Sequence, residues 1–241
     1  MLIIKNVLFW ILFSIISLFF LIIMLPTAFL PAKKRHKLGV AWSKCVLWLL
    51  KVCIGLKYSV SGIENIPDKP SIVCCKHQSG FETIALNVIF PLQVFVLKQE
   101  LFYIPVFGQG LMLMSPIAIN RKKRSNAIKQ MLEQGRKRLS KGFWISIFPE
   151  GTRMPPGVRG KYKQGAARMA QTLHMDIVPV SVNSGIFWPK NSFMKYPGTV
   201  SFVISPKIAW DYGTADEIMQ KCETVIETQQ ALIEENYLND I

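Results

Sequence analysis

The first 32 residues form the most apolar part of the chain. There is no charged residue between Lys5 and Lys33, and the run Val7 to Leu25 consists almost wholly of Leu, Ile, Phe, Trp and Val. A helix of this length can span a bilayer. A secretory signal peptide is the alternative, but its apolar core would be about 7 to 15 residues long and a small-residue cleavage site would follow. The segment Pro26 to Leu30 offers no such site, so the pattern predicts an uncleaved membrane anchor.

A second apolar stretch, residues 38–56, is interrupted by lysines at a helical spacing. Lys37, Lys44 and Lys51 recur every seven residues, which is nearly two helical turns, so they form one stripe along a helix. The apolar residues on the remaining circumference indicate a helix in the membrane interface, with lysines at the headgroups and an apolar side in the acyl chains. The alternative is a core helix whose lysine edge is solvated.

From residue 70 onward, short β-rich runs alternate with helical periods. This alternation predicts an α/β fold with a mixed central β-sheet flanked by helices. The chain is thus divided into a membrane-anchoring helical segment, residues 1–58, and an α/β domain, residues 59–241, with Gly62 and Pro67 marking the linker. The predicted strands are Ser71 to Lys76, Val94 to Leu97, Phe143 to Phe148, Ile177 to Val182 and Thr199 to Ser205, and the predicted helices cover residues 83–90, 125–142, 161–174 and 214–237.

Positive charge predominates along the chain. Its 241 residues include 29 Lys and Arg against 15 Asp and Glu, a net charge of +14, which implies partners such as anionic lipid, phosphorylated substrates or nucleic acid. A hydrophobic fraction of 50 % excludes a disordered polybasic tail.

More positive charges follow the N-terminal apolar run than precede it: Lys33, Lys34, Arg35 and Lys37 come after it, and Lys5 alone comes before it. The positive-inside rule therefore predicts that the bulk of the chain lies on the cytoplasmic side, where this cluster attracts anionic lipids.

The five cysteines show neither a disulfide framework nor zinc-ligand spacing, so no metal site is predicted. Cys74 and Cys75 adjoin in a predicted strand and should point to opposite faces of the sheet. We interpret them as small buried hydrophobes in a reducing compartment.

His77 stands between the first predicted strand and a helical run, and Glu82 follows five residues later. In a continuous helix these positions would lie about 140° apart, so they meet only if His77 occupies the strand-to-helix turn and Glu82 the first helical turn. The carboxylate would then accept the imidazole Nδ1 proton and leave Nε2 as a general base. A capping box formed by Ser79 and Glu82 is the alternative, and one carboxylate can serve both purposes.

A second polar segment, Phe-Pro-Glu-Gly-Thr-Arg at residues 148–153, also follows a predicted strand. Ligands bind at the carboxyl ends of strands in open α/β sheets. Gly151 lets the backbone approach a ligand, and Thr152 and Arg153 supply donors suited to phosphate, the arginine in a bidentate manner. The alternative is a polar turn with a solvated arginine.

Together and in this order, the two segments resemble the glycerolipid acyltransferase family, the 1-acylglycerol-3-phosphate acyltransferases and their relatives. The family has a histidine followed after four residues by an acid, usually aspartate where this chain has Glu82, and its Phe-Pro-Glu-Gly-Thr-Arg segment is intact here. The resemblance covers roughly residues 60–210, and members often carry an N-terminal membrane helix pair. Three further segments match, namely residues 110–121 with Asn120 where aspartate is common, Ile177 to Val182, and Lys98 to Leu101.

The resemblance implies transfer of an acyl group from acyl-CoA or acyl carrier protein to the sn-2 hydroxyl of lysophosphatidic acid, giving phosphatidic acid for phospholipid biosynthesis. His77 would deprotonate the hydroxyl, and Glu82 would orient the imidazole and stabilise the imidazolium. The reaction would need no covalent acyl-enzyme, metal or other cofactor. Within the family, another lysophospholipid, a lyso-aminolipid or glycerol-3-phosphate is the alternative acceptor.

The resemblance also implies a pocket for the phosphate of the acceptor. Lys98, Arg121 and Arg153 would bind that phosphate. The rest of the second motif would shape the pocket through Gly151 and Thr152, and Glu150 would hold either the loop or a glycerol hydroxyl. A cationic site suits both a phosphorylated acceptor and a donor that carries phosphates.

Two other classes of protein are alternatives to an acyltransferase. A membrane-tethered nucleic-acid-binding protein would contact phosphates through the basic residues 121–124 and 136–141. The sequence contains none of the motifs of such a module, so no nucleic-acid partner is expected. A hydrolase is disfavoured because the sequence lacks a G-x-S-x-G elbow, an H-E-x-x-H motif and a P-loop.

Overall fold

A computed structural model describes residues 1–120 and 124–239 of the chain. In these ranges seven strands form one sheet, in the order β1-β7-β6-β2-β5-β3-β4. The strands are β1 (Leu56–Ser61), β2 (Ile72–Cys75), β3 (Gln93–Lys98), β4 (Ile117–Ile119), β5 (Trp144–Ile147), β6 (Ile177–Val182) and β7 (Gly198–Ile204). The helices are α1 (Leu2–Met24), α2 (Ala32–Leu49), α3 (Phe81–Ile89), α4 (Phe107–Leu113), α5 (Arg124–Leu139), α6 (Gly165–Leu173), α7 (Ser184–Phe187) and α8 (Ala215–Asn239).

The sheet is mixed, as the sequence predicts. Strands β6 and β7 pair in antiparallel fashion, whereas the other neighbouring strands run parallel to each other. The carboxyl ends of β2, β5, β3 and β4 therefore lie along one edge of the sheet. Because the two motifs follow the neighbouring strands β2 and β5, the topology brings them side by side.

A hydrophobic core covers each face of the sheet. Helices α1, α2 and α3 contribute to one core, and α5, α6 and α8 contribute to the other. Cys75 belongs to the first core and Cys74 to the second, and both are fully buried. The prediction that these two cysteines point to opposite faces as small hydrophobes is confirmed.

Helix α1 presents an apolar stripe to the outside. In the part of the chain that the structure describes, one helical segment, Leu2–Phe29, is long and apolar enough to cross a membrane. The opposite side of α1 is different, because Phe9 is fully buried in the core shared with α2 and α3. The exposed stripe recurs at intervals of three and four residues and comprises Ile4, Leu8, Ile11, Ile15, Leu18 and Ile22.

The first turns of α1 are fastened to the loop between α7 and β7. The buried Asn6 side chain accepts a hydrogen bond from the Lys195 backbone N–H at 2.7 Å and donates to its carbonyl at 3.1 Å. The Lys195 ammonium lies 3.6 Å from the ring centroid of Trp10 and 4.5 Å from that of Trp188. Burial lowers the pKa of Lys195 to about 7. These contacts join α1 to the loop that leads into β7.

Helix α2 differs from the interfacial helix predicted over residues 38–56. It begins at Ala32 and continues into a π-helical turn over Leu50–Ile54. Lys37, Lys44 and Lys51 are all exposed, which confirms the lysine stripe. The prediction that the apolar side lies in acyl chains is wrong, because this side packs into the core, as in the alternative of a core helix. The buried apolar residues are Val46, Leu49, Leu50, Cys53 and Ile54.

Two strands have no counterpart among the predicted elements. Strand β1 pairs with β7 along its whole length, so Leu56 to Ser61 belong to the sheet and not to the end of a helix. Residue 58, where the sequence places a domain boundary, lies inside this strand. Strand β4 has only three residues and pairs with β3. Edge strands this short give little periodicity to detect.

Candidate active site

His77 occupies the turn between β2 and α3, and Glu82 lies in the first turn of α3. The Nδ1 atom of His77 is 2.8 Å from Oε1 of Glu82. This is the geometry expected from the five-residue spacing. The His77 side chain retains 14 % exposure, while that of Glu82 has none. With its proton on Nδ1, the imidazole offers Nε2 as an acceptor for a proton from a bound substrate.

The Glu82 carboxylate is held by five hydrogen-bond donors. Its Oε1 accepts from the backbone N–H groups of Gln78 and Ser79, both at 2.7 Å, and from His77. Its Oε2 accepts from the hydroxyls of Ser79 at 2.8 Å and Ser184 at 2.6 Å. One carboxylate therefore both fixes the turn before α3 and orients the histidine.

The hydrogen bonds also keep Glu82 ionised. Burial raises the pKa of Glu82, but the hydrogen bond and charge of His77, together with the bonds from Ser184 and Ser79, outweigh this effect and hold the pKa below its ordinary value. A negative charge next to the imidazole favours the imidazolium that forms when the histidine accepts a proton.

The second motif packs directly against the histidine. The ring of Phe148 stacks on the imidazole of His77 with a centroid separation of 3.9 Å. Oε2 of Glu150 accepts the His77 backbone N–H at 3.1 Å, and the Met154 N–H donates to the His77 carbonyl at 2.7 Å. The histidine is thus fixed from the ring side and at both backbone groups.

Glu150 faces the interior of the protein. Its side chain has no exposure, and Oε1 lies 2.9 Å from the ammonium of the equally buried Lys76. Burial raises the pKa of Glu150, and the hydrogen bond and charge of Lys76 oppose the rise. Of the two roles that the sequence leaves open for Glu150, this position matches holding the loop. A contact with a glycerol hydroxyl is incompatible with it because the carboxylate is screened from solvent.

Arg153 lies over the turn that carries His77. One terminal nitrogen of its guanidinium is 3.9 Å from the point that a Cβ would occupy on Gly80, and the ring of Trp188 is 3.6 Å from the same point. Among the described residues, no carboxylate forms an ion pair with this guanidinium. A half-buried arginine without a carboxylate next to the histidine is suited to binding an anion.

The remaining predicted binding residues belong to the same edge of the sheet. Lys98 is exposed at the end of β3, in register with Ile119 of β4. Thr152 is exposed, and Gly151 has a φ of 70°, a left-handed conformation that favours glycine at this turn. Arg121 lies outside the described residues.

Several residues around the histidine carry no role in the sequence-based prediction. Ser184 reaches Glu82 from 102 positions away in the chain, so only the fold brings the two together. Lys76 and Gln78 flank the histidine in the sequence, yet their partners Glu227 and Glu234 lie in α8. The adjacency of Lys76 and Gln78 to His77 is the one sequence signal that could have drawn attention to them.

Comparisons with known proteins show which family the chain belongs to. The Acyltransferase family profile matches residues 57–183. The chain is 44 % identical over 178 residues to the 1-acyl-sn-glycerol-3-phosphate acyltransferase of Pseudomonas aeruginosa, an overlap that covers 73 % of this chain and 69 % of that protein. The chain belongs to the acyltransferase family. This confirms the resemblance seen in the sequence and favours the enzyme over a nucleic-acid-binding protein.

Two further relatives extend the comparison of this acyltransferase. A protein of the same name from Saccharomyces cerevisiae is 30 % identical over 199 residues, covering 80 % of this chain and 65 % of the yeast protein. The crystal structure of the 1-acyl-sn-glycerophosphate acyltransferase of Thermotoga maritima superimposes with a TM-score of 0.80 over 97 % of this chain and 96 % of that chain, at 22 % identity. The acyltransferase fold therefore includes the N-terminal helices and α8, which lie outside the family match.

Proposed function

We propose that this acyltransferase acylates the sn-2 hydroxyl of lysophosphatidic acid and so forms phosphatidic acid. The observation that carries the proposal is the His77–Glu82 pair, 2.8 Å apart, with the Arg153 guanidinium over the same turn. A base next to an anion-binding group suits an acceptor that has a hydroxyl and a phosphate. The names of the relatives from Pseudomonas aeruginosa and Saccharomyces cerevisiae specify the same acceptor.

The proposed reaction is a direct transfer. Nε2 of His77 accepts the proton of the acceptor hydroxyl while that oxygen attacks the thioester carbonyl. The C–S bond breaks as the new ester C–O bond is completed, and the imidazolium returns its proton to the departing thiolate. Glu82 keeps the imidazole in the required tautomer throughout. The thioester supplies the driving force, so the proposed chemistry needs no cofactor.

The phosphate of the acceptor is assigned to the cationic end of the site. Arg153 would bind two phosphate oxygens through its planar fork. We assign Lys98 and Arg121 to the same phosphate, and Gly151 and Thr152 to the wall of the pocket. The acyl donor is either acyl-CoA or acyl carrier protein.

An acceptor series tests the proposal. Purified protein in detergent micelles is given acyl-CoA or acyl carrier protein together with lysophosphatidic acid, lysophosphatidylcholine, a lyso-aminolipid, monoacylglycerol or glycerol-3-phosphate. Because Arg153 recognises a phosphate, lysophosphatidic acid should give a kcat/KM at least about ten-fold above that of monoacylglycerol. Equal rates for these two acceptors would refute phosphate recognition, and a higher rate for another member of the series would identify a different acceptor.

We also propose that the protein binds the cytoplasmic face of a membrane through the exposed stripe of α1. The stripe supplies a hydrophobic contribution, and Lys37, Lys44 and Lys51 supply an electrostatic one that favours anionic lipids. The lysophosphatidic acid acceptor partitions into the same membrane. Deleting α1 would uncover the core at Phe9, so substitutions on the exposed side are the cleaner test.

Replacing Ile11, Ile15 and Leu18 together by glutamine should reduce binding to lipid vesicles by at least about 100-fold, because each of these side chains then no longer gains from burial in acyl chains. Sedimentation with neutral and anionic vesicles measures the effect. Leu232→Gln in α8, a substitution of an equally exposed leucine, should leave binding unchanged. High salt should not release the wild-type protein from membranes. Unaltered binding of the triple variant would contradict insertion of α1.

A further inference from the structure

Helix α8 lies outside the matched family range and places two carboxylates beside the neighbours of His77. Oε1 of Glu227 is 2.7 Å from the ammonium of Lys76, and Oε1 of Glu234 accepts a hydrogen bond from the Gln78 amide at 2.7 Å. The two glutamates are seven residues apart, nearly two helical turns, and so lie on one face of α8. One face of this helix therefore holds the residues immediately before and after the histidine.

The first connection between α8 and His77 is a chain of buried charged side chains. The Lys76 side chain is 1 % exposed and lies between Glu227 and Glu150, at 2.7 and 2.9 Å. A buried ammonium requires such partners. The second oxygen of Glu150 accepts the backbone N–H of His77. Tyr162 donates to Glu227 at 2.8 Å and fixes the carboxylate in turn. Glu227 is thus linked to the His77 backbone through Lys76 and Glu150, by two ion pairs and one hydrogen bond.

The second connection ties three segments to α8. Glu234 accepts from Gln78 and, through its other oxygen, from the Gly157 N–H at 2.8 Å. The Gln78 amide oxygen accepts the Gly185 N–H of α7 at 3.0 Å. Gln230, on the same face of α8, donates to Glu234 at 2.6 Å. The histidine turn, the loop after the second motif and α7 are thereby held together.

We propose that Glu227 and Glu234 are positioning residues for the general base. They fix Lys76 and Gln78, and so hold the imidazole of His77 in line with the acceptor hydroxyl. The inference rests on the proposed role of His77 as the base. Neither glutamate reaches the reacting atoms or the proposed phosphate pocket. Their loss should therefore lower kcat and leave the KM values for the acceptor and the acyl donor unchanged.

Alanine substitutions in the full chain test this inference. Glu227→Ala leaves Lys76 and Glu150 as a neutral pair, so the variant should still fold. Glu227→Ala and Glu234→Ala should each lower kcat at least about ten-fold with either KM changed by less than about two-fold. Glu227→Gln keeps an oxygen acceptor for Lys76 and Tyr162 and should recover part of the lost kcat.

Glu223→Ala is the matched control. Glu223 lies one turn earlier in α8 and pairs with the exposed Arg159, so its removal should leave kcat unchanged. Rates are measured well below the thermal midpoint and per folded molecule. Wild-type kcat in both alanine variants, or a loss that appears only in the acceptor KM, would overturn the inference. If wild-type protein does not acylate lysophosphatidic acid, the proposed function fails, and the variants are compared on the acceptor of the series that it does use.

Discussion

Replacing His77 with alanine should lower kcat by at least about 100-fold while the protein remains folded, because the acceptor hydroxyl then loses its general base. The side chain stacks on Phe148 and pairs with Glu82, and the four other hydrogen bonds to the Glu82 carboxylate remain in the variant. Steady-state acylation of lysophosphatidic acid measures kcat, and a thermal denaturation curve checks folding. Glu82→Gln should have a smaller effect on kcat and leave the acceptor KM nearly unchanged.

His174→Ala is the control for this substitution. His174 is exposed and lies at the end of α6, where its ring contacts Trp210. This variant should retain wild-type kcat. Near-normal turnover in a folded His77→Ala protein would show that another group removes the proton. A large rise in acceptor KM alone would point to a binding role for the histidine.

Replacing Arg153 with alanine should raise the KM for lysophosphatidic acid about ten-fold to 100-fold, which corresponds to the loss of a charge-assisted hydrogen bond worth about 1.5 to 3 kcal/mol. The KM for the acyl donor should change far less. Arg153→Lys should restore only part of the affinity, because lysine offers a point charge without the planar fork. Initial rates with one substrate varied at a time give both constants.

Arg168→Ala, which removes an exposed arginine from α6, serves as the comparison and should change neither KM. If the KM for the donor rises in Arg153→Ala while that of the acceptor is constant, then this arginine binds the phosphates of acyl-CoA or of the carrier protein. That outcome would reverse the orientation of the two substrates in the proposed site.

The sequence predicts the parts of the fold and the site that depend on local pattern. Strand β6 has the predicted bounds, Ile177–Val182, because five of its six residues are apolar and all six are buried. The contact between His77 and Glu82 is also local, since a strand-to-helix turn is the one arrangement that brings positions five apart together. The opposite orientations of Cys74 and Cys75 follow from the alternation of side chains along a strand.

What depends on distant parts of the chain could not be predicted. Ser184 and Glu234 reach the histidine turn only because β6 lies next to β2 and α8 packs on β6. The apolar side of α2 has the same pattern whether it faces lipid or a core, and only the packing of α1 and α3 against it decides between them. Strand β1 does alternate apolar and polar residues, but the helix predicted over residues 38–56 already includes its first residue, and only Leu56 of the strand is buried.

The most direct test of the proposed function is to identify the product that the purified protein forms from 1-acylglycerol 3-phosphate and an isotopically labelled acyl thioester. Mass spectrometry, with regiospecific cleavage of the product, locates the labelled chain. We predict phosphatidic acid that carries the label at sn-2, formed by the wild-type protein and at most about one hundredth as fast by His77→Ala. Label released only as free fatty acid, or phosphatidic acid formed equally fast by both proteins, would contradict acyl transfer by this histidine.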